Sequence, residues 1–144
     1  MVTYGDDPSE AAKMVCGSEV QEDLNQSFKV DADVSTPTWV DHLLACTYQY
    51  PEGSFALSVK ELPSIEATVD YFASLKARYT VGEQTGLGQE GFLTTDGMSI
   101  VRKDNKVLVV DVSNLPAAFG TPPMSRRDAA LAITFTILGC WIGG

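Results

Sequence analysis

Apolar side chains alternate at period two through Leu44, Cys46, Tyr48 and Tyr50, and again through Phe55, Leu57 and Val59. Pro51-Glu52-Gly53-Ser54 lies between the two runs. Successive side chains on a strand point to opposite faces, so two alternating runs around a Pro/Gly turn predict a β-hairpin over residues 39–60 with one face in the core.

Elsewhere the period lengthens. Ala12, Val15, Cys16, Val20 and Leu24 recur at spacings of three and four, which predicts a helix over residues 8–27. Asp7 reads as its N-cap, with Pro8 at the first helical position and Glu10 three residues on from the cap. Gly17 falls inside this helix, at a cost of about 1 kcal/mol relative to alanine, and so points to close packing against a neighbour. Residues 29–38 are polar and read as a loop with a short strand at its start. Leu62-Pro63 stops the hairpin, and Ser64 caps a second helix whose buried stripe is Ile65, Thr68, Val69, Phe72, Leu75 and Tyr79.

Residues 81–91 hold four glycines and read as a loop. Three short strands follow, over residues 92–94, 98–103 and 106–112, joined by turns at Asp96-Gly97 and Asp104-Asn105. The run Val107-Leu108-Val109-Val110 predicts a central strand buried on both faces. Ser125 and Asp128 form another capping pattern, opening a last helix over residues 126–141. The order α-ββ-α-βββ-α predicts one α+β domain over residues 1–144, with three helices against a mainly antiparallel sheet of about five strands. Residues 1–6 read as a loose tail.

Composition narrows the function classes. The apolar share is 44% and the mean hydropathy +0.01, enough to build a core. The net charge of −9 argues against nucleic acid, whose binders need a basic footprint. The charge is uneven: residues 1–70 hold 13 acidic and three basic side chains, and residues 71–144 hold six and seven. That acidic half is either a solvated face or a surface that meets a basic partner.

Residues 129–144 carry no charge and follow Arg126-Arg127, yet the run is shorter than the ~20 apolar residues of a membrane span and reads as a core helix. The first seven residues lack the basic start and apolar stretch of a signal peptide. The expectation is a cytoplasmic protein, or a processed form whose export segment has been removed.

Candidate chemistry is sparse. Cys16, Cys46 and Cys140 form no Cys-x-x-Cys pair, and each is predicted to face the core. Three buried thiols, a Cys16–Cys46 bond and a Cys46–Cys140 bond all remain open. A zinc site of the three cysteines and His42 has suitable ligand types but no compact spacing. His42 is the sole histidine, and Asp41 beside it on a strand points the other way, so no nucleophile–base–carboxylate set forms. Asp31 and Asp33 lack the remaining oxygens of a calcium loop. No carboxylate lies in an evident apolar pocket that would raise its pKa for acid–base work. Gly86-Leu87-Gly88-Gln89-Glu90-Gly91 precedes a strand and lacks the Gly-Lys-Ser/Thr ending of a phosphate loop. No cofactor motif is present.

The order of Met14-Val15-Cys16-Gly17, Ala45-Cys46-Thr47-Tyr48, Leu57-Ser58-Val59, Gly86-Leu87-Gly88-Gln89-Glu90-Gly91-Phe92 and Val107-Leu108-Val109-Val110-Asp111-Val112 before a terminal helix resembles actinobacterial cell-envelope lipoprotein domains of unknown function. Those domains are similar to small extracytoplasmic sensor domains. The resemblance implies export, a lipid-modified cysteine upstream of this chain, and a helix-to-strand disulfide matching Cys16–Cys46, with Cys140 free. It implies no reaction. The expected function is a non-catalytic extracytoplasmic binding or sensor module whose partner is a protein or small apolar ligand. It would use a concave sheet face or the loops at residues 29–38 and 81–91. The alternative is an acidic inhibitor or immunity-type protein that binds a basic protein.

Overall fold

The computed structural model describes residues 4–143. Where one first helix is expected, two segments form: α1 (Glu10–Met14) and α2 (Ser18–Phe28). Ser9, not Asp7, caps α1, its Oγ accepting the Ala12 N–H at 3.1 Å. The buried Glu61 carboxylate takes the Ser9 N–H at 3.0 Å and so holds Ser9 where the extended chain turns into the helix. The break at residues 15–17 also has a tertiary cause. In an unbroken helix the Val15 carbonyl would accept the N–H of residue 19. Here it accepts the Tyr48 hydroxyl at 2.7 Å, while Cys16 is bonded to Cys46. Gly17 is extended and begins α2 as its N-cap. A side chain there would meet Met14 at ordinary contact distance, so the glycine marks a break and not the close packing expected of it.

β1 (Asp33–Val34) and β2 (Thr38–Val40) pair with the two ends of β3 (Leu43–Tyr50). The strand expected to run on from Trp39 therefore reverses, with Val40 opposite Leu43. Asp41 and His42 make the turn at φ 53° and 59°. A two-residue hairpin of this kind requires left-handed backbone at both central positions, and Asp and His tolerate it better than most residues. β3 and β4 (Gly53–Glu61) form the expected hairpin, Tyr50 pairing with Gly53 across Pro51-Glu52. A Cβ on Gly53 would lie 2.5 Å from the Asn114 carbonyl, so only glycine permits this approach.

Ser64 caps α3 (Ile65–Arg78) as expected, its Oγ accepting the Ala67 N–H at 3.1 Å. β5 (Val81–Gln84) pairs with β6 (Glu90–Thr94), where the sequence predicts only loop. The register shifts between Val81 and Glu83, and Gly82 within this bulge hides the strand pattern. β7 (Met98–Lys103) and β8 (Lys106–Asp111) follow closely as expected. A ribbon of β9 (Ala118–Phe119) and β10 (Met124–Ser125) leads into α4 (Arg126–Gly143), where Ser125 Oγ accepts the Asp128 N–H at 3.1 Å.

The result is an α+β fold on one antiparallel sheet of eight strands, ordered β1-β3-β4-β8-β7-β6-β5 with β2 also beside β3. The expected count of about five omits β1, β2 and β5, which are short or bulged. On the inner face, Leu44, Cys46, Tyr48, Tyr50, Phe55, Leu57, Val59, Leu108 and Val110 pack with α1, α2 and α4 in the larger core. α4 contributes Ala129, Ala130, Ile133, Ile137 and Leu138, which accounts for its uncharged run. No helix of the described residues is long and apolar enough to cross a membrane. On the outer face a second core joins Phe72 and Leu75 of α3 to Phe92, Ile100 and Val107. Ile65 and Val69, expected in the buried stripe, are 46% and 39% exposed. The helix meets the sheet through Thr68, Phe72 and Leu75 instead, and leaves these two on its flank.

Candidate functional site

α3 covers only the β6, β7 and β8 side of the outer face. The rest of that face is open and forms a groove of about 410 Å³. Its floor follows from the register of three strands: Ala45 lies opposite Ser58, Thr47 opposite Ala56, and Ser58 in turn opposite Val109. These side chains are short, so none fills the space that the end of α3 leaves. Tyr79 and Met98 form one wall, and Ser35, Thr36 and Thr38 form the other. The second wall is pinned to β3, because the Ser35 N–H donates to the Thr47 carbonyl and Ser35 Oγ accepts the Thr47 N–H, both at 2.9 Å. Asp111 closes one end, its Oδ1 accepting the Ser113 N–H at 3.0 Å. The lining mixes apolar contact with hydroxyl donors and acceptors, the usual make-up of a small-ligand site.

A second groove of about 560 Å³ lies between β5, the β6–β7 turn and the start of α4. Glu83 and Arg127 close over it in a two-pronged contact, Nε to Oε1 at 2.9 Å and Nη2 to Oε2 at 2.8 Å. That bonding holds the Glu83 carboxyl below its usual range and the Arg127 guanidinium above its own. Arg126 donates to the Leu115 carbonyl at 2.7 Å. Both arginines are thus engaged within the chain.

The residues singled out for chemistry go to structural tasks. Cys16 and Cys46 form a disulfide across 30 residues and Cys140 is free. Two of the four residues weighed as zinc ligands, and set aside on their spacing, are therefore unavailable to metal. His42 lies in the β2–β3 turn, stacked on Tyr4 with ring centroids 4.3 Å apart and set edge-on to Trp39 at 5.4 Å. Trp39 Nε1 donates to the Asp6 carbonyl at 2.7 Å, so this cluster fastens residues 4–6 to the hairpin. Residues 1–3 of the expected tail lie outside the described residues. Lys60 Nζ donates to the Asp41 carbonyl.

Of the two loops expected to carry binding, residues 29–38 supply Ser35, Thr36 and Thr38 to the outer-face groove, and residues 81–91 supply Gly82 and Glu83 to the second. Asp31 and Asp33 join no cluster of three metal-ligating groups among the described residues. The one such cluster is Glu19, Asp23 and Cys140, whose ligand atoms lie within 4.8 Å of one another. Sequence reasoning missed it; the i, i+4 spacing of Glu19 and Asp23 puts both on one helix face, but only the packing of α4 on α2 brings Cys140 to them.

No known protein family matches this chain, and neither does any curated protein or solved structure.

Proposed function

We propose that this chain is a non-catalytic extracytoplasmic binding or sensor-like module of the cell envelope, and that the open half of the outer sheet face receives its ligand. The observation that carries the reading is the groove itself: Ala45, Thr47, Ala56, Ser58 and Val109 leave a floor without bulk between two fixed walls. A small apolar ligand, or a short extended segment of a protein, matches that lining. The Cys16–Cys46 bond fits an oxidising compartment, where disulfides form and persist. The likeness in element order to envelope lipoprotein domains supports the same placement, with a lipid-modified cysteine upstream as the tether.

The test is a small-molecule and peptide fragment screen by amide shift perturbation on the labelled protein. Hits should shift Ala45, Ala56, Ser58 and Val109, and Ala56→Trp should abolish them without lowering Tm, because the side chain is exposed. Hits that ignore Ala56→Trp, or turnover in a broad hydrolase screen lost with one carboxylate, overturn the proposal.

A further inference from the structure

We infer that the groove between α2 and α4 docks a cationic amphipathic helix of a partner protein. This groove encloses about 800 Å³ and is lined by Met14, Glu19, Asp23, Phe135, Gly139 and Cys140 among others. It faces away from the sheet groove and stands independently of the function proposed for it, while giving the acidic half of the chain a specific place to act.

Three features point to an occupant from outside the chain. The first is Phe135, 59% exposed on a helix that otherwise buries its apolar residues well. The second is Gly139. It lies in the interior of α4, four residues on from Phe135 and on the same face. An interior glycine weakens a helix relative to alanine, yet among the described residues nothing beyond its own stretch of helix backbone lies within 4 Å of where its Cβ would be. No packing within this molecule requires a glycine there. A notch beside an exposed ring suits a second helix laid into the groove, with anchors at helical spacing.

The third feature is charge. Glu19 and Asp23 stand one turn apart on the groove wall. α2 contains no basic residue, and α4 carries no charge from residue 129 onward. With burial, these two carboxylates hold the Cys140 thiol above its ordinary pKa, so their field reaches the groove floor. A second copy of this chain would set Glu19 and Asp23 against their equals in a molecule of net charge −9. An anionic lipid surface meets the same repulsion. A helix with lysine or arginine on one side and apolar residues on the other satisfies both the carboxylates and Phe135.

The experiment titrates the labelled full chain with a synthetic amphipathic Leu/Ala/Lys peptide about five turns long, and with its Glu-for-Lys counterpart. The lysine peptide should bind, shift Glu19, Asp23, Phe135 and Gly139, and lose affinity at least tenfold, to order of magnitude, between low and physiological salt. Glu19→Lys with Asp23→Lys should remove that binding, and Gly139→Leu or Phe135→Ser should weaken it with the fold intact by circular dichroism. The inference is overturned if the two peptides bind alike, if the charge-reversed variant binds as well as the parent, or if the shifts map to Ala45, Ala56 and Val109. It is equally overturned if the unbound chain dimerises through Phe135, or if phosphatidylglycerol vesicles perturb this groove and the peptide does not.

Discussion

The Tyr48 hydroxyl donates a 2.7 Å hydrogen bond to the Val15 carbonyl, one residue before the cysteine that is bonded to Cys46. Tyr48 and Cys46 are two apart on β3 and share its inner face. The strand thus holds the break between α1 and α2 by two neighbouring ties, one covalent and one not.

The covalent tie is the larger. Closing a loop across 30 residues restricts the unfolded chain, an effect of about 3–4 kcal/mol in the loop-entropy model. Cys16→Ser with Cys46→Ser should lower the unfolding free energy by about that much in urea titrations. Alkylation of the unreduced native protein should modify Cys140 alone; three modified thiols would count against the bond.

The two buried tyrosines of β3 should respond oppositely to loss of their hydroxyls. Tyr48→Phe strands the Val15 carbonyl in the core and should cost about 1–3 kcal/mol. The Tyr50 hydroxyl is buried without a hydrogen-bond partner among the described residues, so Tyr50→Phe removes an unsatisfied group and should be neutral or mildly stabilising. Equal losses in the two variants would sink this assignment.

Glu61 and Lys106 form a buried pair, Oε2 to Nζ at 4.0 Å, beneath the start of α1. Lys106 also donates to Asn105 Oδ1 at 3.1 Å. Lys106→Met leaves the Glu61 charge buried without its counter-ion and should cost about 3–5 kcal/mol. Adding Glu61→Leu should recover most of that loss, short of the Ser9 N–H bond that Glu61 also accepts. Thermal unfolding of the two single variants and the double variant measures the cycle.

Burial raises the pKa of Tyr48 and Tyr50 above the ordinary 10.0, and Tyr71 shifts in the same direction for the same first reason. Below pH 10 or so these groups are protonated in both folded and unfolded chains and add no pH dependence. Above it the unfolded chain releases its protons while the folded one keeps them, so stability falls as pH rises. Urea midpoints should drop between about pH 10 and 11, with tyrosinate absorbance from Tyr48 and Tyr50 appearing only on unfolding. Tyr48→Phe with Tyr50→Phe should flatten the dependence.

Local chemistry was legible where neighbours in sequence satisfy one another. Ser64 and Ser125 cap helices whose first N–H groups lie three residues on, and the Tyr50–Gly53 turn joins strands that carry their own alternation. Where a distant group decided the outcome, the pattern misled. Glu61 moved the first cap to Ser9, and Tyr48 and Cys46 broke the helix at Gly17. Gly82 hid β5, because a bulge interrupts the period on which strand reading rests.

The sequence alone determined the α+β class, the central hairpin, the caps at Ser64 and Ser125 and the acidic half, since all of these follow from period, local capping chemistry and charge. Only the tertiary structure decided which residues meet. The short side chains of Ala45, Thr47, Ala56 and Ser58 mean little along the chain; they become a groove floor because strand register aligns them and α3 stops short of them. His42, expected on a strand beside Asp41, became part of a clasp with Trp39, because two left-handed residues turned one expected strand into a hairpin and set Tyr4 on the imidazole ring.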